Sequence, residues 1–156
     1  MNFLLALLLA TGISQAENLE DLRIARWESR VPNIVICNGA DIDRELVERA
    51  ADAWRARGER FGNIYERSCG SRPNRGEIAI YVRSEMEHNN SVGETVRNVF
   101  RNDDGSWATD IHHARVYIKP NYVDSYSLIE HELGHAVGYL DTWNSRSVMY
   151  VIADKH

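Results

Sequence analysis

The stretch His131-Glu132-Leu133-Gly134-His135-Ala136-Val137-Gly138-Tyr139-Leu140-Asp141 constrains this chain more than any other. On an α-helix, residues four apart share a face, so His131 and His135 aim both imidazoles at one point where a metal ion can sit. Glu132 lies beside that face, within reach of the proton of a metal-bound water. Gly138 follows one turn later, where a residue free to take positive φ ends the helix and turns the chain back. That reversal brings Asp141 up as a third, oxygen ligand. Three protein ligands plus water is the layout of a catalytic zinc site, whereas structural sites fill all four positions with protein. The HExxH core arises by chance in roughly one chain in several hundred, and adding Gly138 and Asp141 lowers that by about two further orders of magnitude. The competing reading is an amphipathic core helix that carries two solvated histidines. It must bury Leu128, Leu133, Val137 and Leu140 while polar groups beside them find partners.

Ser147-Val148-Met149-Tyr150 comes next, with Met149 eight positions after Asp141. Taken together, the long motif and this segment resemble the metzincin zinc peptidases, whose zinc helix is followed by a Met-turn. The Asp141-to-Met149 interval is similar to that of matrixins, and the Asp third ligand is similar to that of the snapalysin-type secreted peptidases. The resemblance implies one zinc ion held by His131, His135 and Asp141, with Glu132 as the general base. It places Met149 as an apolar floor beneath the ligands. The fold it implies is α+β: one zincin-like catalytic domain, a twisted and mostly parallel sheet packed against two long helices. Its C-terminal subdomain is very short, since the chain runs only seven residues past Met149. The specific motifs cover residues 124–150. In astacin-like relatives a Tyr two places after the Met approaches the zinc; here Val151 stands there and Tyr150 one place earlier, so that role does not transfer.

The activity implied is hydrolysis of peptide bonds in a protein or peptide substrate by metal-activated water. Two readings compete with it. One is a secreted zinc-binding interaction module without catalysis, against which the presence of Glu132 argues. The other is the same peptidase held to a membrane by an uncleaved leader.

That leader is residues 1–16. A Leu- and Ala-rich run from Phe3 to Ala10 is too short to span a bilayer, and Ser14 and Ala16 are small residues suited to a cleavage site. No Lys or Arg precedes the run. Removal after Ala16 predicts export to the extracellular space or periplasm, leaving residues 17–156 as one monomeric catalytic domain without stable membrane association. The net charge of −5 is spread along the chain, with arginines alternating with Asp and Glu, which offers no footprint for nucleic acid. Cys37 and Cys69 fit an oxidising compartment, and a disulfide between them would contribute about 3–4 kcal/mol on the chain-entropy model. A sharper alternative makes Cys69, in Arg67-Ser68-Cys69-Gly70, a latency thiolate on zinc like that of matrixin propeptides; its position after the first helix of the domain argues against it. Asn102-Asp103-Asp104-Gly105 with Asp110 offers calcium a weak site, since it lacks spaced EF-hand ligands, and a plain Asp-Gly turn accounts for it better.

Along the chain, residues 17–30 read as a charged arm or short helix. Asn33 to Cys37 reads as a strand, and a helix capped by Asp41 or Asp43 follows, with Leu46, Val47, Ala50, Ala53, Trp54 and Phe61 as its apolar positions. Asn63–Ser68, Glu77–Val82 and Ala114–Lys119 read as further strands. Residues 84–113 are polar, with a weaker strand near Val92 to Phe100. That strand is either the edge on which such enzymes bind extended peptides or an ordinary surface hairpin. His112 and His113 would point to opposite faces of a strand and so cannot easily share a metal. The zinc helix begins near Asp124 or Ser125, with Ser127 and Glu130 as a possible capping box. Trp143 and Tyr150 are candidates for either a specificity pocket or the core.

Overall fold

Alternation along three apolar runs sets the sheet. A computed structural model describes residues 18–27, 30–88, 90–101 and 107–150. Strands β1 (Asn33–Cys37), β2 (Ile64–Arg67), β3 (Glu77–Val82), β4 (Gly93–Arg101) and β5 (Trp107–Ile118) form one sheet in the order β2-β1-β3-β5-β4. The first three pairings are parallel and β4 runs antiparallel to β5, so the sheet is mixed and β4 is an edge. Side chains on a strand point alternately to opposite faces. Ile34, Ile36, Ile78, Ile80, Val116 and Ile118 accordingly enter the main core, while Val35, Cys37 and Ala79 pack on the other side.

Two helices cover the first face. α1 (Arg44–Ala56) buries Val47, Ala50, Ala51 and Trp54, spaced as one helical stripe. Asp43 is its cap, accepting from Glu45 N at 2.9 Å, and Gly58 at φ +98° lies just beyond its end. α2 (Tyr126–Ala136) is buried at Leu128, Ile129, Glu130, His131, Glu132, Leu133, Gly134 and Ala136. Ser125 caps it, accepting from Leu128 N at 3.4 Å. The expected Ser127–Glu130 box does not form: Glu130 instead takes Arg57, the residue just past α1, at 2.8 Å, and the Trp54 indole donates to its carbonyl at 2.7 Å. The architecture is therefore α+β, a mixed five-stranded sheet with two helices, and no helix among the described residues is long and apolar enough to cross a membrane.

The opposite face lies under the loop that follows β2. The Cys37–Cys69 disulfide ties this loop to β1, and the Tyr81 hydroxyl donates to Gly70 O at 2.9 Å. The disulfide also removes Cys69 as a free thiolate. Glu77 holds the same corner: its carboxylate accepts from Tyr65, Arg67 and both the main-chain and side-chain nitrogens of Asn74, at 2.5–3.0 Å.

The weaker strand expected near Val92 to Phe100 is present as β4, whereas β5 differs from its reading in sequence. The polar stretch 84–113 contains all of β4 and the first half of β5, so the strand expected from Ala114 begins at Trp107. Thr109 and Ile111 there hydrogen-bond to Arg26 of the N-terminal arm, Arg26 N to Thr109 O at 2.8 Å and Ile111 N to Arg26 O at 2.7 Å. The arm is thus extended at residues 23–26 beyond a single 3-10 turn, Leu19–Leu22. His112 is buried and His113 half-buried, on the two faces expected. The leader at 1–16, the turn at 102–105 and the chain beyond 150 lie outside the described residues.

Burial alone would raise the Glu77 carboxyl, but its hydrogen bonds from Tyr65, Asn74 and Arg67 hold it below the ordinary carboxylate range. A depressed folded-state pKa stabilises above the unfolded value and is lost as pH falls through the folded value. Glu77→Gln should therefore cost about 2 kcal/mol at neutral pH and nearly nothing in strong acid, measured as urea midpoints across a pH series.

Candidate metal centre

α2 carries His131 and His135 on one face, and their rings stand 4.6 Å apart, edge to face. Each ring is oriented through Nδ1 by a main-chain carbonyl: Val148 O at 3.0 Å for His131 and Tyr139 O at 2.9 Å for His135. With Nδ1 engaged, Nε2 of each ring faces outward, the orientation in which metal-ligating histidines present that nitrogen. Both Nε2 atoms meet the same oxygen of Asp141, at 3.2 Å each.

Asp141 arrives there through a helix ending of the Schellman type. Tyr139 N donates to Gly134 O and Gly138 N to His135 O, both at 3.0 Å, and Gly138 has φ +112°. The turn then docks on the arm: Ile24 N donates to Gly138 O and Leu140 N to Leu22 O, both at 2.9 Å. A Cβ on Gly138 would stand 1.9 Å from Ala25 O, so only glycine fits. The Tyr139 ring is clamped in turn, stacked on Trp54 at 5.0 Å with the Arg23 guanidinium 4.4 Å above it. Its hydroxyl donates to Glu59 at 2.8 Å.

Met149 is fully buried beneath the helix. Its sulfur and the Trp54 ring occupy the space beside Gly134, where a Cβ would come within 2.3 Å and 2.4 Å of them. Met149 O accepts from Thr142 N at 2.8 Å, which folds the loop after Asp141 back under the site. Trp143 and Tyr150 on this loop are exposed rather than core.

Glu132 is buried, and this pushes its carboxyl above the usual range against the opposing pull of His135 and a hydrogen bond from Thr95. The Thr95 hydroxyl donates to Glu132 Oε2 at 2.6 Å. Arg97 on the same strand donates to His135 O at 2.8 Å and Tyr139 O at 3.3 Å. Gly93, Thr95, Arg97, Glu132, His135, Leu140 and Asp141 line one open cleft of about 280 Å³. Hydrogen bonds from His131 and His135 hold Asp141 well below the usual carboxylate range. Burial would lower His135, but Asp141, the Glu132 charge and the Tyr139 carbonyl together raise it.

The donor set fits a metal ion. Two imidazole nitrogens and one carboxylate oxygen lie within 4.8 Å of one another. Ligand atoms about 2.0–2.1 Å from a tetrahedral ion stand about 3.3 Å apart, close to the two nitrogen–oxygen separations here. His131, His135 and Asp141 come together as the motif spacing suggested, Glu132 lines the same cleft, and Met149 packs beside Gly134. The contributions of Thr95, Arg97 and the arm were not foreseen. Their one signal is the period-two spacing of Gly93, Thr95 and Arg97 on a strand. Compared with known proteins, the chain matches no family model and no curated protein at a significant level.

Gly138→Ala combines backbone strain with the clash on Ala25 O, so it should cost about 3 kcal/mol or more. Zinc affinity should fall with it, measured by competition with a chelating dye. Unchanged affinity in a folded variant would show that the turn does not position Asp141.

Proposed function

We propose that this chain is a secreted zinc-dependent endopeptidase of the metzincin kind, with residues 17–156 as its catalytic domain. The observation that carries the reading is the place of Glu132. It is a buried carboxylate with a raised pKa, in the same cleft as the His131–His135–Asp141 cluster. A zinc-binding protein without catalysis has no need of an acid–base group there.

A zinc ion held by the cluster would supply the Lewis acid that activates water and polarises the scissile carbonyl. His131 and His135 would hold it through Nε2, their rings oriented by Val148 O and Tyr139 O, and Asp141 would contribute the negative charge. Glu132 takes the proton of the attacking water and passes it to the leaving amine. Met149 and Trp54, packed against Gly134, keep the underside of the ligand helix apolar. As the edge of the sheet, β4 offers main-chain groups to an extended peptide, which would add as a further strand beside the cleft. The disulfide supports an oxidising compartment, hence export.

Glu132→Gln should retain one zinc per chain and lose turnover of an unfolded protein such as casein by roughly 10²–10⁴-fold. Elemental analysis beside the cleavage assay checks both parts. Zinc with no Glu132-dependent cleavage would favour the binding module, and a folded chain without zinc would remove both readings.

A further inference from the structure

Resting on the peptidase reading, we infer that Thr95 is a positioning residue for Glu132, orienting the carboxylate through its side-chain hydroxyl. Gly93, Thr95 and Arg97 lie at alternate positions of β4 and so share the face turned toward α2. Gly93 leaves a gap that Glu132 fills: a Cβ there would stand 2.5 Å from Glu132 Oε1 and 2.9 Å from Leu128 Cδ1. Thr95 holds the other oxygen, Oε2, at 2.6 Å. Both carboxylate oxygens are therefore located by one strand.

Such holding matters because a Glu side chain reaches its carboxylate through several rotatable bonds, and the last of them is soft. Thr95, by contrast, is β-branched and stiff at χ1, so β4 dictates where its hydroxyl points. That hydroxyl has one proton to give and two acceptors in range, Glu132 Oε2 at 2.6 Å and Glu132 O at 3.1 Å. The shorter contact, to a charged acceptor, is the stronger. With Oε2 engaged, Oε1 is left beside Gly93 in the cleft to receive a proton. Mere tethering of strand to helix is already supplied by Arg97, which donates to His135 O and Tyr139 O. An extended peptide paired to the outer edge of β4 would be registered against the base by the strand that holds it.

The test uses the zinc-loaded full chain as wild type, Thr95→Val, Thr95→Ser and Glu132→Gln. Thr95→Val should bind one zinc and lower kcat about 10–100-fold with KM nearly unchanged, and Thr95→Ser should recover most of the loss. A wild-type kcat in Thr95→Val, or no recovery in Thr95→Ser, overturns the inference while leaving the peptidase reading intact. A second measurement needs no activity. In zinc-free protein, urea midpoints of Thr95→Val, Glu132→Ala and the double variant should show coupling, the double loss being smaller than the two single losses added. Additive losses overturn the inference. Wild type that holds zinc and cleaves nothing refutes the peptidase reading instead, and the coupling then still decides whether Thr95 holds Glu132.

Discussion

Everything at the candidate centre depends on how the chain leaves α2. His131 and His135 are placed by helix geometry alone, but Asp141 reaches the same point only because Gly138 reverses the backbone against the arm. The two main-chain bonds of that reversal satisfy carbonyls that a helix end would otherwise leave orphaned. The carbonyl of Tyr139, one residue on, then meets both His135 Nδ1 and the Arg97 guanidinium. One turn thus ends the helix, delivers a carboxylate and orients an imidazole.

Charge in this small region is balanced partly by contact, with Asp141 still half exposed. Asp141 carries the negative charge that two imidazoles share, and Arg97, whose own pKa burial lowers, spends its donors on main-chain carbonyls. Glu132 has no cationic side chain bonded to it among the described residues, only the Thr95 hydroxyl. Burial disfavours the anion of a carboxyl so placed.

What was legible in the sequence follows how local each signal is. The ligand pair, the base and the reversal fall within one eleven-residue stretch, because 3.6-residue periodicity and the special φ of glycine act over a turn or two. α1 and the apolar strands β1 and β3 were equally readable from their spacing and β-branched runs. β5 was cut short because Thr109, Asp110, His112 and His113 look like loop. Their strand conformation comes from pairing with β4 and with Arg26, partners distant in sequence. Ser125 caps the helix where its start was read, while the Ser127–Glu130 box fails because Glu130 pairs with Arg57, a partner distant in sequence. Thr95 and Arg97 carry only the period-two spacing that puts them on one face of a strand; the register of β4 beside α2 supplies their contacts.

The arm also says something about order in time. Residues 22–26 join the turn at 138–140 and the start of β5 at once, linking segments more than eighty positions apart. Contacts of such sequence separation form late in folding, since the loop they close must first lose its freedom. The place of Asp141 therefore depends on a contact that spans most of the chain. A chain whose arm has not docked holds two histidines on a helix without the carboxylate, an incomplete set for the metal that the proposed peptidase would need.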